Sequence, residues 1–173
     1  MKKTLICAAL VAAGIATSVA QNVYSLNVVG YYNITVPAGQ YKMIANQLVQ
    51  TNAEIQNLLS VPGGTTLLKW TGVSFAPNNY DPDFGWDDPT ATLGPGEGAF
   101  IKNNSASPFT ITFVGEVNQG TNSLNFTSGV FKMVGLFTPQ AGLITTDFGF
   151  PAGANDQVLQ WTGVGYSPFT YDP

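Results

Sequence analysis

A four-residue motif that occurs twice constrains this chain more than any other feature. Trp70-Thr71-Gly72-Val73 returns 91 positions later as Trp161-Thr162-Gly163-Val164, and in each copy an aromatic residue, a proline and a Tyr-Asp-Pro triplet follow at the same spacing. An earlier set of residues returns 90 positions later: Gly39, Lys42 and Met43 recur as Gly129, Lys132 and Met133. Two colinear matches of this kind indicate two copies of one module.

The second copy stops at Pro173, before segments that complete the first. The first copy continues through Phe84-Gly85-Trp86 and then through residues 93–100, with the sequence LGPGEGAF. We therefore expect a first module at residues 21–117 and a second, C-terminally incomplete module at residues 118–173.

The first twenty residues have the pattern of a secretory signal peptide. A basic start at Met1-Lys2-Lys3 leads into an apolar run over residues 5–16, and Ser18-Val19-Ala20 places small residues where a signal peptidase cleaves. The alternative is an uncleaved anchor, but the run is shorter than the roughly 20 residues that cross a bilayer. We expect cleavage after Ala20 and a mature protein in the periplasm, at the cell surface or outside the cell.

Composition excludes several classes of function. Cys7 is the only cysteine and leaves with the signal, and the chain has no histidine. The mature chain therefore has no disulfide, no thiol nucleophile, no Ser-His-Asp triad and no zinc site built from Cys or His. After residue 20, ten acidic residues face four lysines and no arginine. Nucleic-acid binding, which needs clustered basic residues, is excluded, and anionic membranes are disfavoured.

Strand patterns dominate both copies. Runs rich in β-branched and aromatic residues, bounded by glycine and proline, predict strands. In the first copy they lie at residues 23–29, 31–36, 41–48, 65–70, 73–76, 98–102 and 109–114. In the second copy they lie at residues 123–126, 130–135, 157–161 and 164–166. Gly30 is predicted to break the first two runs, and Thr71-Gly72 to form a hairpin turn.

One helix and one long loop complete the prediction. Thr51-Asn52-Ala53-Glu54 has the form of a capping box ahead of apolar residues at helical spacing, which predicts a short helix ending before Pro62. Residues 141–150 of the second copy lack that box, so no matching helix is expected there. Residues 78–95, rich in Pro, Asp, Asn and Gly, predict a long ordered loop. The fold class is all-β, with two similar small sandwich-like or barrel-like modules and one short helix in the first.

The order of these motifs resembles that of a known group of proteins. The resemblance rests on Val28-Val29-Gly30-Tyr31, the segment 36–39, Lys69-Trp70-Thr71-Gly72 and the segment 94–100. Over nearly the whole mature chain they are similar to uncharacterised exported β-repeat proteins that we associate with Verrucomicrobia-like bacteria. The resemblance implies export and a β-module, and it implies no activity.

The densest acidic cluster suggests a structural calcium ion. Alternating carboxylates around a glycine are suited to a hard cation that takes several oxygen ligands. The candidate ligands are Asp81, Asp83, Asp87 and Asp88. Their spacing is not that of an EF-hand, and the alternative is that they cap turns and face water. Beyond this calcium, no cofactor is expected.

The aromatic residues of the same loop suggest a sugar-binding surface. Tyr80, Phe84 and Trp86 lie beside these aspartates, and exposed rings can stack on the apolar face of a sugar. The alternative is that they pack the base of the loop. Glycoside hydrolysis by a pair of the aspartates is a distant third hypothesis, because one loop offers no opposing acid.

We therefore predict a non-enzymatic structural or adhesive protein of the cell exterior. Repetition, low charge and strand edges that can pair with neighbouring copies favour self-association. The alternative partner is a surface glycan, bound by the loop aromatics as a carbohydrate-binding module.

Overall fold

The computed structural model describes residues 28–120 and 122–173, which are mostly β-structure. The elements in chain order are β1 (Val29–Val36), β2 (Tyr41–Ala45), α1 (Ile55–Leu58), β3 (Thr66–Trp70), β4 (Phe75–Asp81), β5 (Gly85–Trp86), β6 (Gly98–Lys102), β7 (Phe109–Glu116), β8 (Gln157–Trp161) and β9 (Tyr166–Thr170). They form an antiparallel β1-β7 ribbon, a sheet of order β2-β6-β3-β4-β5, and a β8-β9 hairpin. The all-β prediction is confirmed. These sheets are open, so the barrel alternative is wrong for the described residues.

The predicted signal peptide lies outside the described residues, as does most of the strand expected at residues 23–29. Across residues 28–120 and 122–173, no helix has both the length and the apolar character needed to cross a membrane.

The core lies between the β1-β7 ribbon and one face of the five-stranded sheet. Side chains alternate between the two faces of a strand, so Ile111 and Phe113 of β7 point inward while their neighbours Thr110 and Thr112 are exposed. The sheet contributes several fully or almost fully buried residues to this core: Ile44, Leu67, Ala99 and Ile101. Helix α1 closes the side of the layer with Ile55 and Leu58.

The predicted break at Gly30 is wrong, because β1 runs through it. Gly30 pairs with Gly115 of β7, and both glycines are needed for close packing. A Cβ on Gly115 would lie 2.5 Å from the carbonyl oxygen of Val49, and one on Gly30 would lie 3.0 Å from a methyl of Val117. Here glycine marks a close approach of the chain and not the end of a strand.

The predicted loop at residues 78–95 is wrong in its first half. Strand β4 continues to Asp81 and turns through Gly85, whose φ is +84°, into β5. The side chain of Asn78 fixes this register, since it donates to the carbonyl of Asp88 at 2.8 Å and accepts from the Asp88 N–H at 3.0 Å. The polar segment that was predicted to be a loop therefore forms a hairpin, and side-chain hydrogen bonds stabilise it.

The short helix predicted before Pro62 is confirmed, but the predicted capping box does not form at its N-terminus. Helix α1 begins at Ile55 with Glu54 as its N-cap, and no side chain caps it. The Asn52 side chain accepts a hydrogen bond from the Glu54 N–H at 2.8 Å, which makes a turn before the helix in place of the box. Only four residues remain helical.

The repeated motif forms the same hairpin twice. Trp70 pairs with Phe75, and Trp161 pairs with Tyr166 in the same register. Both turns close through a threonine N–H, which donates to Ser74 in one copy and to Gly165 in the other, each at 2.9 Å. Strand β8 lies where it was predicted, whereas β9 begins at Tyr166 and not at Val164.

Two other strands predicted in the second copy are absent from the described residues. Residues 123–126 have no regular structure, and the run at 130–135 forms a single bridge, between Val134 and Glu97 of the first copy. The β2-like segment of the second copy thus pairs with the first copy.

Tyr32 provides a test of the ribbon's packing. Its hydroxyl donates to the carbonyl of Ala45 at 2.5 Å and accepts from the Gln47 N–H at 3.0 Å, and its ring stacks on Phe113. Desolvation raises the pKa of Tyr32 from 10.0 to about 12, although the Gln47 hydrogen bond opposes the rise. Between these values the folded state binds more protons than the unfolded state, so its free energy of unfolding must fall as the pH rises.

We expect denaturant titrations to show that loss from pH 10 to 12, with the contribution of Tyr32 fully present below pH 10. The Tyr32→Phe protein should be less stable at neutral pH, because Ala45 and Gln47 lose their partner. Its free energy of unfolding should also fall less steeply from pH 10 to 12 than that of the wild-type protein. Equal slopes for the two proteins would show that Tyr32 is not desolvated as described.

Candidate functional site

The three aromatic residues predicted to bind a ligand do not form one exposed surface. Trp86 is 5% exposed and belongs to the hydrophobic core, and partly buried Tyr80 packs against it with ring centroids 5.3 Å apart. Phe84 is 91% exposed at the β4-β5 turn. Of the three, only Phe84 presents a ring face to solvent, because alternation along the short strand β5 directs Trp86 inward.

Three of the four candidate calcium ligands accept hydrogen bonds from separate groups, while the fourth, Asp83, has an exposed side chain. Asp81 accepts from the N–H groups of Asp83 and Phe84, at 2.8 and 3.2 Å. Asp87 accepts from the backbone and side chain of Asn79, and Asp88 from the backbone and hydroxyl of Thr90. Within the described ranges, no three Asp or Glu side chains come close enough to hold a metal ion. The geometry favours the turn-capping alternative.

The clearest carboxyl pKa shifts are downward. Hydrogen bonding from Thr90 lowers the pKa of Asp88, and hydrogen bonds from Gln56 and Asn52 lower that of Glu54. Asp88 is exposed and Glu54 is half-buried. A general acid of a glycosidase needs the opposite shift, produced by burial in an apolar site. These two carboxylates are thus suited to capping turns.

A second aromatic cluster joins the two copies. Phe100 of β6 is 5% exposed and lies on the sheet face opposite the core. Its ring centroid is 4.9 Å from that of Trp161 and 5.5 Å from that of Phe75. Tyr166 of the second hairpin and Tyr41 of β2 complete the cluster at 6.2 and 6.4 Å. The second hairpin therefore rests on the first module through Phe100.

A groove of about 440 Å³ runs beside this cluster, between residues 70–72, 95–98 and 130–134, with Leu124 at its side. The charged groups on its wall already have partners. Glu97 forms an ion pair with Lys69 at 2.7 Å and accepts from the Gly94 N–H at 2.9 Å, while Lys132 donates to the carbonyl of Asn125. The groove presents mainly apolar groups and backbone, and Glu97, one of its two charged residues, is already paired with Lys69.

Two strands present free backbone groups along an edge. In an antiparallel pair, every second residue exchanges hydrogen bonds with the partner strand and the residues between face away. Val117 donates to Val28 at 2.7 Å, which places the N–H and C=O groups of Tyr31, Asn33 and Thr35 on the outer edge of β1. Tyr171 donates to Asp156 at 2.9 Å, and the same alternation places Gln157, Leu159 and Trp161 on the outer edge of β8. Among the described residues, no strand pairs with either edge.

Sequence reasoning missed most of this arrangement. It predicted strand edges that can pair with neighbouring copies without identifying them, and it did not predict the contact between Trp161 and Phe100. The available signal was the motif itself, because a tryptophan that recurs at the end of a repeated strand predicts a repeated packing surface. The contact of Trp161 with Phe100 joins residues 61 positions apart, and a local pattern does not reveal it.

Comparison of the chain with protein families, with curated proteins and with solved structures gives no match. The resemblance to exported β-repeat proteins therefore stays a prediction, and the functional argument rests on the residues described above.

Proposed function

We propose that this protein is an exported, non-enzymatic structural or adhesive component of the cell surface or the extracellular matrix, and that it assembles through strand edges. The observation that carries the proposal is the outer edge of β1. Eight residues long, with the sequence VGYYNITV, this strand contains no charged residue and no proline.

Proteins that stay monomeric usually protect such an edge. Lysine, proline, bulges or a covering segment prevent pairing with a second chain. Here the side chains beside the edge are also apolar and exposed, with Tyr31 at 72%, Val29 at 67% and Val114 of β7 at 55%. Pairing of two β1 edges would satisfy the free backbone groups and cover part of this apolar surface.

We expect the protein without its signal peptide to show concentration-dependent assembly in sedimentation velocity, without any added ligand. Thr35→Pro should abolish it, because the Thr35 N–H faces the free edge and makes no bond to β7. Thr35→Val is the matched control, since it keeps the N–H. A wild-type protein that remains monomeric at every concentration would contradict the proposal.

Carbohydrate binding is the second candidate, and one observation favours it. Phe84 holds an exposed ring next to the Asp81-Asp83 turn, which is a combination found on sugar-binding surfaces. The burial of Trp86 removes the second ring that such a surface would use.

A further inference from the structure

The outer edge of β8 has a counterpart in the first module that is occupied. Strand β3 carries the same motif 91 positions earlier, and its residues Thr66 and Leu68 pair with Lys102 and Phe100 of β6. The corresponding residues of β8 are Gln157 and Leu159, whose backbone groups face outward. The first module therefore shows which kind of strand fits this edge.

A second group at the same end of the hairpin lacks a partner. The indole N–H of Trp70 donates to the carbonyl of Phe131 at 2.9 Å. The indole N–H of Trp161 is buried and has no acceptor among the described residues. A buried donor without an acceptor costs free energy. Among the described residues, β8 thus lacks two partners that β3 has, a strand on its outer edge and an acceptor for its indole N–H.

We propose that the outer edge of β8 binds an extended segment of a partner polypeptide that carries the Gly-Ala-Phe-Ile-Lys pattern of β6. The segment runs antiparallel to β8 and places its aromatic residue opposite Leu159, as Phe100 lies opposite Leu68. Small residues precede the aromatic one, as they do in β6, where a Cβ on Gly98 would lie 3.1 Å from the backbone of Met133 in the second copy. The lysine falls opposite Gln157, next to the exposed carboxylate of Asp156.

The chain's own β6 does not supply this segment within the folded protein. It lies between β2 and β3, and its first four residues are buried. Strand addition of this kind takes its affinity from main-chain hydrogen bonds and its specificity from alternate side chains. This binding goes beyond the assembly proposed above, which uses β1.

The experiment uses a fluorescent peptide with the sequence of residues 93–103, LGPGEGAFIKN, and the folded protein. Fluorescence anisotropy should show saturable binding, and the same peptide carrying Phe100→Asp should not bind. Hydrogen exchange measured by NMR should show new protection at the amides of Gln157 and Leu159. The amides of Val158 and Gln160, which already bond to β9, should be unchanged.

Gln157→Pro removes an N–H that faces the free edge and leaves the backbone hydrogen bonds between β8 and β9 in place, so it should weaken peptide binding roughly tenfold. Gln157→Thr, which introduces the residue found at the corresponding place in β3, should bind as wild type. Protection of Val158 and Gln160 in the proline variant shows that the hairpin is still folded. Absence of peptide binding by the wild-type protein, or protection at β1 in place of β8, would overturn the proposal.

The two proposals fail separately. Thr35→Pro should abolish self-assembly and leave peptide binding intact, whereas Gln157→Pro should weaken peptide binding and leave self-assembly intact. A protein that captures the peptide and never self-assembles would retain the β8 site and contradict the structural role alone.

Discussion

Trp86→Ala is expected to lower the free energy of unfolding by about 3–5 kcal/mol, as large-to-small substitutions of buried aromatic residues do. The indole is 5% exposed and packs on Tyr80 within the core that also contains Ile55 and Leu93. Removing it leaves a cavity beneath β5 that a two-residue strand has little means of filling. Chemical denaturation followed by circular dichroism measures the loss.

Phe84→Ala is the matched control, two positions away in the same hairpin. Its ring is 91% exposed, so the substitution should change stability by no more than about 0.5 kcal/mol. The pair also separates the two roles considered for this loop. If a polysaccharide quenches or shifts tryptophan fluorescence and Phe84→Ala abolishes that response, the loop binds sugar. Equal stability of the two variants would show that Trp86 is not a core residue.

The hairpin at Thr71-Gly72 and the strand at Gly98–Lys102 were predictable because their determinants are local. Thr71-Gly72 and Gly98–Lys102 combine β-branched or aromatic runs with glycine turns, and Gly72 indeed adopts a φ of +99°. The same local logic placed β8 correctly from the repeat. Sequence spacing was sufficient where a glycine turn separates two strand-forming runs, and it failed at the polar β4-β5 hairpin.

The direction of the loop side chains was not predictable from the same information. Whether Trp86 points inward depends on the register of β5 against β4, and a shift of one residue would turn it to the other face. That register is fixed by the bonds between Asn78 and Asp88, which join positions in a segment with no strand pattern. The aspartate cluster is dispersed for a related reason, because Asp81 and Asp88 lie close in sequence and accept hydrogen bonds from different turns.

The contact between the copies is the other feature that sequence alone concealed. Repetition predicts two similar units, and it does not say that Met133 and Val134 will pair with the first copy at Gly98 and Glu97. Among the described residues of the second copy, only the β8-β9 hairpin forms strands, and an isolated two-stranded hairpin is marginally stable in water. Its stability must come from the surface on which it packs.

That surface is tested most directly by Phe100→Ala, for which we expect a loss of about 3–5 kcal/mol. Phe100 is part of strand β6 in the core sheet, and its ring contacts both Trp161 and Tyr166 of the second hairpin. Removing its ring should therefore loosen the second hairpin more than the first. Hydrogen exchange should show that the amides of Val158 and Gln160 lose protection, while that of Leu67, bonded within β3-β4, keeps most of it.

Tyr41→Ala provides the control for this prediction. The Tyr41 ring also packs edge-on against Phe100, but Tyr41 is 42% exposed. Among the ring pairs of the described residues, it makes no contact with Trp161. It should leave exchange in β8-β9 unchanged. If Phe100→Ala destabilises β3 and β8 to the same extent, the two copies unfold as one cooperative unit. If it leaves Val158 and Gln160 protected, the hairpin is anchored elsewhere and Phe100 does not connect the copies.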